Sequence, residues 1–309
     1  MKVAKNISDL VGNTPIIKLN NIDKDLPGNI YAKCEFMNPT GSIKDRIALN
    51  MIKNAMIRGG INQHTHIIEP TSGNTGVGLA SQCASMGLKL TLTMPDSMSA
   101  ERKDLMSAFG ANIVLTPAKL GMKGAIEKAK ELCKQEENSI ILDQFSNPAN
   151  PLTHEKITAL EIIDSMQKEI DIFVTGVGTG GTISGVGKVL KKEIPHIKII
   201  AIEPQDSSVL SGGVAGVHKI QGIGAGFIPN TLDTKIYDDI ILIDNDSAIK
   251  TTRQIAKKEG ILVGISSGAN IKAAIKLASK EENRDKNILT ILCDTGERYL
   301  SMGIFNEKY

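Results

Sequence analysis

The chain has 309 residues, enough for one large or two modest α/β domains. A hydrophobic content of 41%, a charged content of 23% and a net charge of +2 describe an ordinary globular protein with no pull towards nucleic acid or membrane. No tryptophan and 3% aromatics leave little for base stacking, and four scattered cysteines without a C-x-x-C pair point to reduced thiols rather than a disulfide or zinc framework.

The first ten residues are too polar for a signal peptide and no apolar run approaches about 18 residues, so a cytoplasmic protein is expected. In chain order, hydrophobic periodicity predicts a helix over 44–58, a strand over 67–69, a helix over 75–86, a strand over 88–94 and a helix over 100–109. A strand over 112–115, a helix over 122–136, a strand over 140–142, a helix over 151–168, a strand over 172–175 and a helix over 183–193 follow. Strands over 197–203 and 240–243, helices over 247–259 and 268–278, and a strand over 288–293 complete the pattern. This alternation argues for parallel sheets covered by helices on both faces. Two such sheets divide near Asn147-Pro148-Ala149-Asn150-Pro151, the clearest linker-like composition.

Four segments carry chemistry. The first is Asn38-Pro39-Thr40-Gly41-Ser42-Ile43-Lys44-Asp45-Arg46, turn chemistry leading into a helix. Ser42 and Asp45, three apart, resemble a capping box, which puts Lys44 in the first helical turn. There the macrodipole disfavours a cation by about 0.3–1 kcal/mol and favours the neutral, nucleophilic amine. A lysine so placed suits Schiff-base chemistry, although most lysines in a chain with 36 Lys and Arg are simply solvated.

The second is Thr71-Ser72-Gly73-Asn74-Thr75, between a strand and a helix. Its small hydroxyls, glycine and amide at a helix start make a cradle for an anion, here a carboxylate, or else an ordinary N-capped turn. The third, Gly176-Val177-Gly178-Thr179-Gly180-Gly181-Thr182, follows a strand and opens a helix, the setting of a phosphate loop. It also satisfies the dinucleotide fingerprint, with Glu203 at the end of the next strand, so a nicotinamide cofactor stays open at this point. The fourth, Gly264-Ile265-Ser266-Ser267-Gly268, sets a serine hydroxyl at another helix start. His64 and His66 have metal-ligand spacing but sit in a polar stretch without carboxylate partners, so they read as solvated and no metal is expected. His154, His196 and His218 read as isolated, and Lys188, Lys191 and Lys192 as the wet face of a helix.

A nucleophilic lysine, a carboxylate cradle and a phosphate loop together point to pyridoxal 5'-phosphate acting on an amino acid. Over nearly its whole length, from Gly12-Asn13-Thr14-Pro15 to Gly296-Glu297-Arg298-Tyr299-Leu300-Ser301, the sequence resembles the cysteine synthase (O-acetylserine sulfhydrylase) and cystathionine β-synthase family. That resemblance implies an α/β fold, tryptophan synthase β-like and fold-type II, with two three-layer αβα domains and the active site in the cleft between them. It implies a smaller mobile domain over 48–151 and a larger phosphate-binding domain over 1–47 plus 152–309. By the same resemblance Lys44 carries the cofactor and takes the α-proton. Asn74 faces the cofactor's 3'-oxygen; Gly178, Thr179, Gly180, Gly181 and Thr182 hold its phosphate; Ser266 faces the pyridine nitrogen. Thr71, Ser72, Gly73, Asn74, Thr75 and Gln144 grip the substrate carboxylate, and Gly222 and Ala225 border the mouth of the site.

The implied reaction is β-replacement, forming L-cysteine from O-acetyl-L-serine and sulfide through an α-aminoacrylate. A cysteine β-lyase releasing hydrogen sulfide, or a cystathionine- or lanthionine-type thioether synthase, shares these residues and stays open. The run Gly224-Ala225-Gly226-Phe227-Ile228-Pro229 looks like the cysteine synthase form of the loop. Thr40, Glu155 to Ile162 and Met302 depart from the usual pattern without removing a catalytic group. A homodimer and a complex with serine acetyltransferase are further implications, with no nucleic acid or membrane partner.

Overall fold

The computed structural model describes residues 3–22 and 24–306; the expected domain limits at residues 1 and 309 lie outside them. In chain order the elements are β1 (Ile16–Lys18), β2 (Asn29–Cys34), α1 (Lys44–Ile57), β3 (His66–Pro70), α2 (Asn74–Met86) and β4 (Lys89–Pro95). Next come α3 (Ala100–Ala108), β5 (Asn112–Thr116), α4 (Gly121–Gln135), β6 (Ser139–Ile140), α5 (Ala149–Thr153) and α6 (Ala159–Met166). The series ends with β7 (Ile172–Gly176), α7 (Gly181–Glu193), β8 (Lys198–Pro204), β9 (Asp239–Ile243), α8 (Asn245–Glu259), α9 (Ile265–Ala278) and β10 (Asn287–Leu292). No described helix is long and apolar enough to cross a membrane.

The described residues form two compact units, residues 3–11 with Asn38–Asn150, and Gly12–Met37 with 151–306. In the smaller unit four parallel strands run in the order β5-β4-β3-β6. Successive residues of β4 from Leu90 to Pro95 are all buried, as a strand covered on both faces requires. Met51, Ile52, Leu79, Ala80, Leu92 and Met94 form its core. Helix α1 lies hard against α2: a Cβ added to Gly78 would sit 3.1 Å from Ala48 Cβ and 3.2 Å from the Lys44 carbonyl oxygen. That contact groups 38–47, and Lys44 with them, in the smaller unit, whereas the expected boundary fell after residue 47.

The larger unit has six strands in the order β1-β2-β10-β7-β8-β9, parallel except for β1. Helix α9 buries an alanine-rich flank, Ala269, Ala273, Ala274 and Ala278, in the core with Val174 and Ile202. Neither β1, only three residues long, nor β2 is expected from the sequence, and in β2 Lys33 interrupts the apolar pattern. Lys33 is fully buried, donating to the Thr14 carbonyl at 2.8 Å and pairing with Glu161 at 2.8 Å.

The helix expected over 151–168 is interrupted. A π-helical turn, His154–Thr158, separates α5 from α6, an insertion that 3.6-residue periodicity does not register. Helix α7 crosses this segment so closely that a Cβ on Gly185 would lie 2.2 Å from the Pro151 carbonyl oxygen and 2.8 Å from His154 Cβ.

Candidate active site

The turn before α1 is closed by Gly41, whose N–H donates to the Asn38 carbonyl at 2.7 Å and whose φ of +77° suits glycine. The cap is not the box expected from Ser42 and Asp45. Ser42 Oγ accepts from the Lys44 N–H at 3.2 Å, while the buried Asp45 carboxylate reaches back to the Thr40 N–H at 2.6 Å and to the Thr40 hydroxyl. Thr40, one of the departures from the usual pattern, thus ties the turn to the helix. Lys44 is the first residue of α1 and is half-buried rather than solvated, at the positive end of the helix.

In the same unit β3 runs out at Pro70 and α2 starts at Asn74, with extended Gly73 as its N-cap. The carboxylate motif is therefore the turn itself. Thr71 and Thr75 are buried; Ser72, Gly73 and Asn74 are half-buried. Thr71 Oγ accepts from the Gly73 N–H at 3.4 Å, and the Thr75 hydroxyl donates to Gln144 Oε1 at 2.6 Å. That bond joins residues 69 positions apart and brings Gln144 to the motif. The Arg102 guanidinium, which the sequence does not single out, donates to the Ser72 carbonyl at 3.2 Å.

In the larger unit the loop after β7 enters α7 through Gly180, whose φ is +81°. Gly181 and Thr182 form the first turn of α7, where backbone N–H groups lack helical partners and attract an anion. The hydroxyl oxygen of Thr179 accepts from the Gly181 N–H at 3.4 Å, and the Thr179 carbonyl accepts from the Thr231 hydroxyl. Upstream, Asn270 Oδ1 accepts from the Gly176 N–H at 2.8 Å while its amide donates to the Ile291 carbonyl at 2.8 Å, fixing the loop to β10.

His154 is not isolated. It is buried, with Nδ1 3.0 Å from Thr158 Oγ and Nε2 3.3 Å from Thr182 Oγ, so the π turn delivers an imidazole to the phosphate loop. Its spacing from Thr182 in sequence carries no signal of that contact.

Gly222 and its neighbours, in the segment between β8 and β9, pack against that loop. A Cβ on Gly178 would come 2.3 Å from the Gly222 carbonyl oxygen, and the Gly224 N–H donates to the Val177 carbonyl at 2.9 Å. Gly222 also passes Ser266, for a Cβ there would be 3.4 Å from Ser266 Oγ. Ser266 is buried in the first turn of α9, whereas Gly222 and Ala225 are exposed. His218, also read as isolated, places Nε2 2.9 Å from the Gly224 carbonyl oxygen.

Two other readings change. His66 is buried on β3 rather than solvated, its ring nitrogens 2.6 Å from a Glu136 oxygen and 2.7 Å from Thr91 Oγ. Glu203, the acid that a dinucleotide ribose would need, is buried and accepts from the N–H groups of Leu210 at 2.8 Å and Ser211 at 2.9 Å. It holds its own loop, which removes the nicotinamide reading. A phosphate monoester fits the remaining donors well: Gly178 and Gly180 let the loop pack tightly against Gly222 and Leu232, the first-turn N–H groups of α7 lack helical partners, and the Thr179 and Thr182 hydroxyls flank the helix end.

Residues 7–294 match the family described as pyridoxal-phosphate dependent enzyme. The chain is 55% identical over 306 residues to a cysteine synthase of Staphylococcus aureus, covering 99% of this chain and 98% of that one. Its fold is similar to the solved cysteine synthase of Entamoeba histolytica, with a TM-score of 0.97 and 41% identity over 100% of this chain and 92% of that one. A hydrogen sulfide-producing enzyme from Fusobacterium nucleatum is similar at a TM-score of 0.93 and 45% identity, covering 97% of this chain and 99% of that one.

Proposed function

The chain belongs to the family of pyridoxal-phosphate-dependent enzymes, and from that premise we propose that it forms L-cysteine from O-acetyl-L-serine and sulfide. Full-length similarity to a cysteine synthase at 55% identity carries this reading, with Lys44 half-buried at a helix start beside it. When bound, the cofactor supplies an electron sink for the α-carbon of an amino acid.

The chain's own groups then have distinct tasks. Lys44 Nζ holds the cofactor and later moves the α-proton, which the positive end of α1 assists by favouring the neutral amine. Thr71, Ser72, Gly73, Asn74 and Thr75 bind the substrate carboxylate at the start of α2, and the Gln144 side chain adds an amide donor. Asn74 also orients the ring through its 3'-oxygen. Gly178, Thr179, Gly180, Gly181 and Thr182 bind the phosphate at the start of α7. Ser266, buried in the first turn of α9, would offer the ring nitrogen a neutral hydroxyl instead of a carboxylate, an environment suited to elimination rather than transamination. Gly222 and Ala225 border the path of substrate. A smaller unit that moves, a homodimer, a cytoplasmic setting and a complex with serine acetyltransferase complete the proposal.

The test is product formation by the purified holoenzyme. Cysteine appearing from O-acetyl-L-serine and sulfide is the expected result, and Lys44→Ala is expected to lose the visible cofactor band and at least about a hundredfold of turnover. The similarity to a hydrogen sulfide-producing enzyme supplies the rival outcome: sulfide released from cysteine alone, faster than cysteine is made, would transfer the assignment to a β-lyase.

A further inference from the structure

One buried acid stands next to the carboxylate motif without belonging to it. Glu69 lies on β3 two residues before Thr71 and is 1% exposed. Its carboxylate accepts three consecutive backbone N–H groups: Leu142 and Asp143 at 3.0 Å each, and Gln144 at 3.2 Å. Asp143 adopts a φ of +54°, the left-handed conformation that turns successive amides towards one anion. The turn is fastened elsewhere too. Asn147 donates from its side chain to the Leu142 carbonyl at 2.7 Å, and Asn150 to the Gln144 carbonyl at 2.8 Å. With the Gln144 backbone fixed and its Oε1 taken by Thr75, its side-chain NH2 is the group left to donate.

We propose that Glu69 is a positioning residue for substrate, its ionised carboxylate holding the 142–144 turn in the one conformation that presents the Gln144 amide to the substrate carboxylate. The proposal rests on the reading above, in which Gln144 meets that carboxylate. Burial pushes the Glu69 carboxyl up to about 7, the Asp143 charge acts in the same direction, and the three N–H groups oppose them. Because the folded value lies above the ordinary 4.5, ionising Glu69 lowers stability as pH rises through the interval between about 4.5 and about 7. A neutral side chain would fold more readily over that interval; the charged one holds three amides. Protonation puts an O–H among N–H donors and loosens the turn.

The experiment compares KM and kcat for O-acetyl-L-serine between wild-type holoenzyme, Glu69→Gln and Gln144→Ala from pH 6 to pH 8. Titration of the substrate amine is common to all three and cancels in ratios. Glu69→Gln is expected to raise KM about tenfold at pH 8 with kcat changed less than about threefold, and the KM ratio to wild type should shrink below about threefold at pH 6, where wild type is itself protonated. A ratio that stays constant with pH, or a wild-type KM in Glu69→Gln, overturns the role of Glu69. If Gln144→Ala also leaves KM unchanged, the carboxylate reading of Gln144 fails with it; if Gln144→Ala raises KM while Glu69→Gln does not, only the Glu69 proposal fails. Should Glu69→Gln not fold, amide NMR of the wild-type holoenzyme decides: the Leu142, Asp143 and Gln144 protons should titrate together near pH 7, and no shared step between pH 6 and pH 8 sinks the idea.

Discussion

The smaller unit and the larger unit each carry a proposed anion-binding helix start, and they shape it by different means. Around the carboxylate motif the work is done by side chains: Thr75 clasps Gln144, Thr71 turns back on Gly73, and Glu69 gathers three amides. Around the phosphate loop Thr179 and Asn270 make similar bonds, but missing side chains set the close packing. Gly178 and Gly180 admit Gly222 and Leu232 to distances that no Cβ tolerates, 2.3 Å and 2.5 Å from where one would stand. A clasp of hydrogen bonds can be loosened step by step, whereas steric closeness fails at once. In the function proposed above, the first would serve a site that grips and releases substrate, the second a site that keeps a cofactor.

The sharpest way to break this contrast is Gly178→Ala. The added methyl must displace the 222 loop, an overpacking of about 1–3 kcal/mol, so cofactor affinity should fall roughly ten- to a hundredfold in a spectrophotometric titration, with KM for O-acetyl-L-serine in the fully loaded enzyme changed far less. Thr75→Val probes the other half. It leaves Gln144 Oε1 without its donor at about 1–2 kcal/mol, and KM should rise roughly five- to thirtyfold while cofactor affinity stays put. The smallest effect is expected from His154→Ala, which removes one long bond to Thr182 and should weaken cofactor binding about two- to fivefold. Substrate KM moving with Gly178→Ala, or cofactor affinity moving with Thr75→Val, would blur the division between clasp and close packing.

Most of the framework was legible because it is periodic or punctuated. Strands β3, β4, β7 and β8 are buried on both faces and read as apolar runs, and β3 and β7 each feed a helix through a turn rich in glycine and hydroxyls. Thr71 to Thr75 and Gly178 to Thr182 stand at those two turns, and Lys44 at the turn before α1, where local chemistry is visible residue by residue. Strand β2 was illegible for the opposite reason. Its Lys33 looks like a surface residue until Glu161, 128 positions later, supplies the countercharge. His154, His218 and His66 were likewise read as idle because each one's partner is remote in sequence or is a backbone carbonyl. The π turn was hidden because an extra residue in one helical turn leaves composition unchanged.

By itself the sequence determined which turns bear lysine, hydroxyls and glycines, and hence the expectation of a site for an amine, a carboxylate and a phosphate. Those are local properties, set by backbone preference and by the donors exposed wherever a helix begins. Tertiary structure alone decided that Glu69 underpins Gln144, that Glu203 serves its own loop, and that an imidazole reaches Thr182. Each of those depends on burial, which removes water as the competing partner and makes one distant group the remaining way to satisfy a charge or a hydrogen bond.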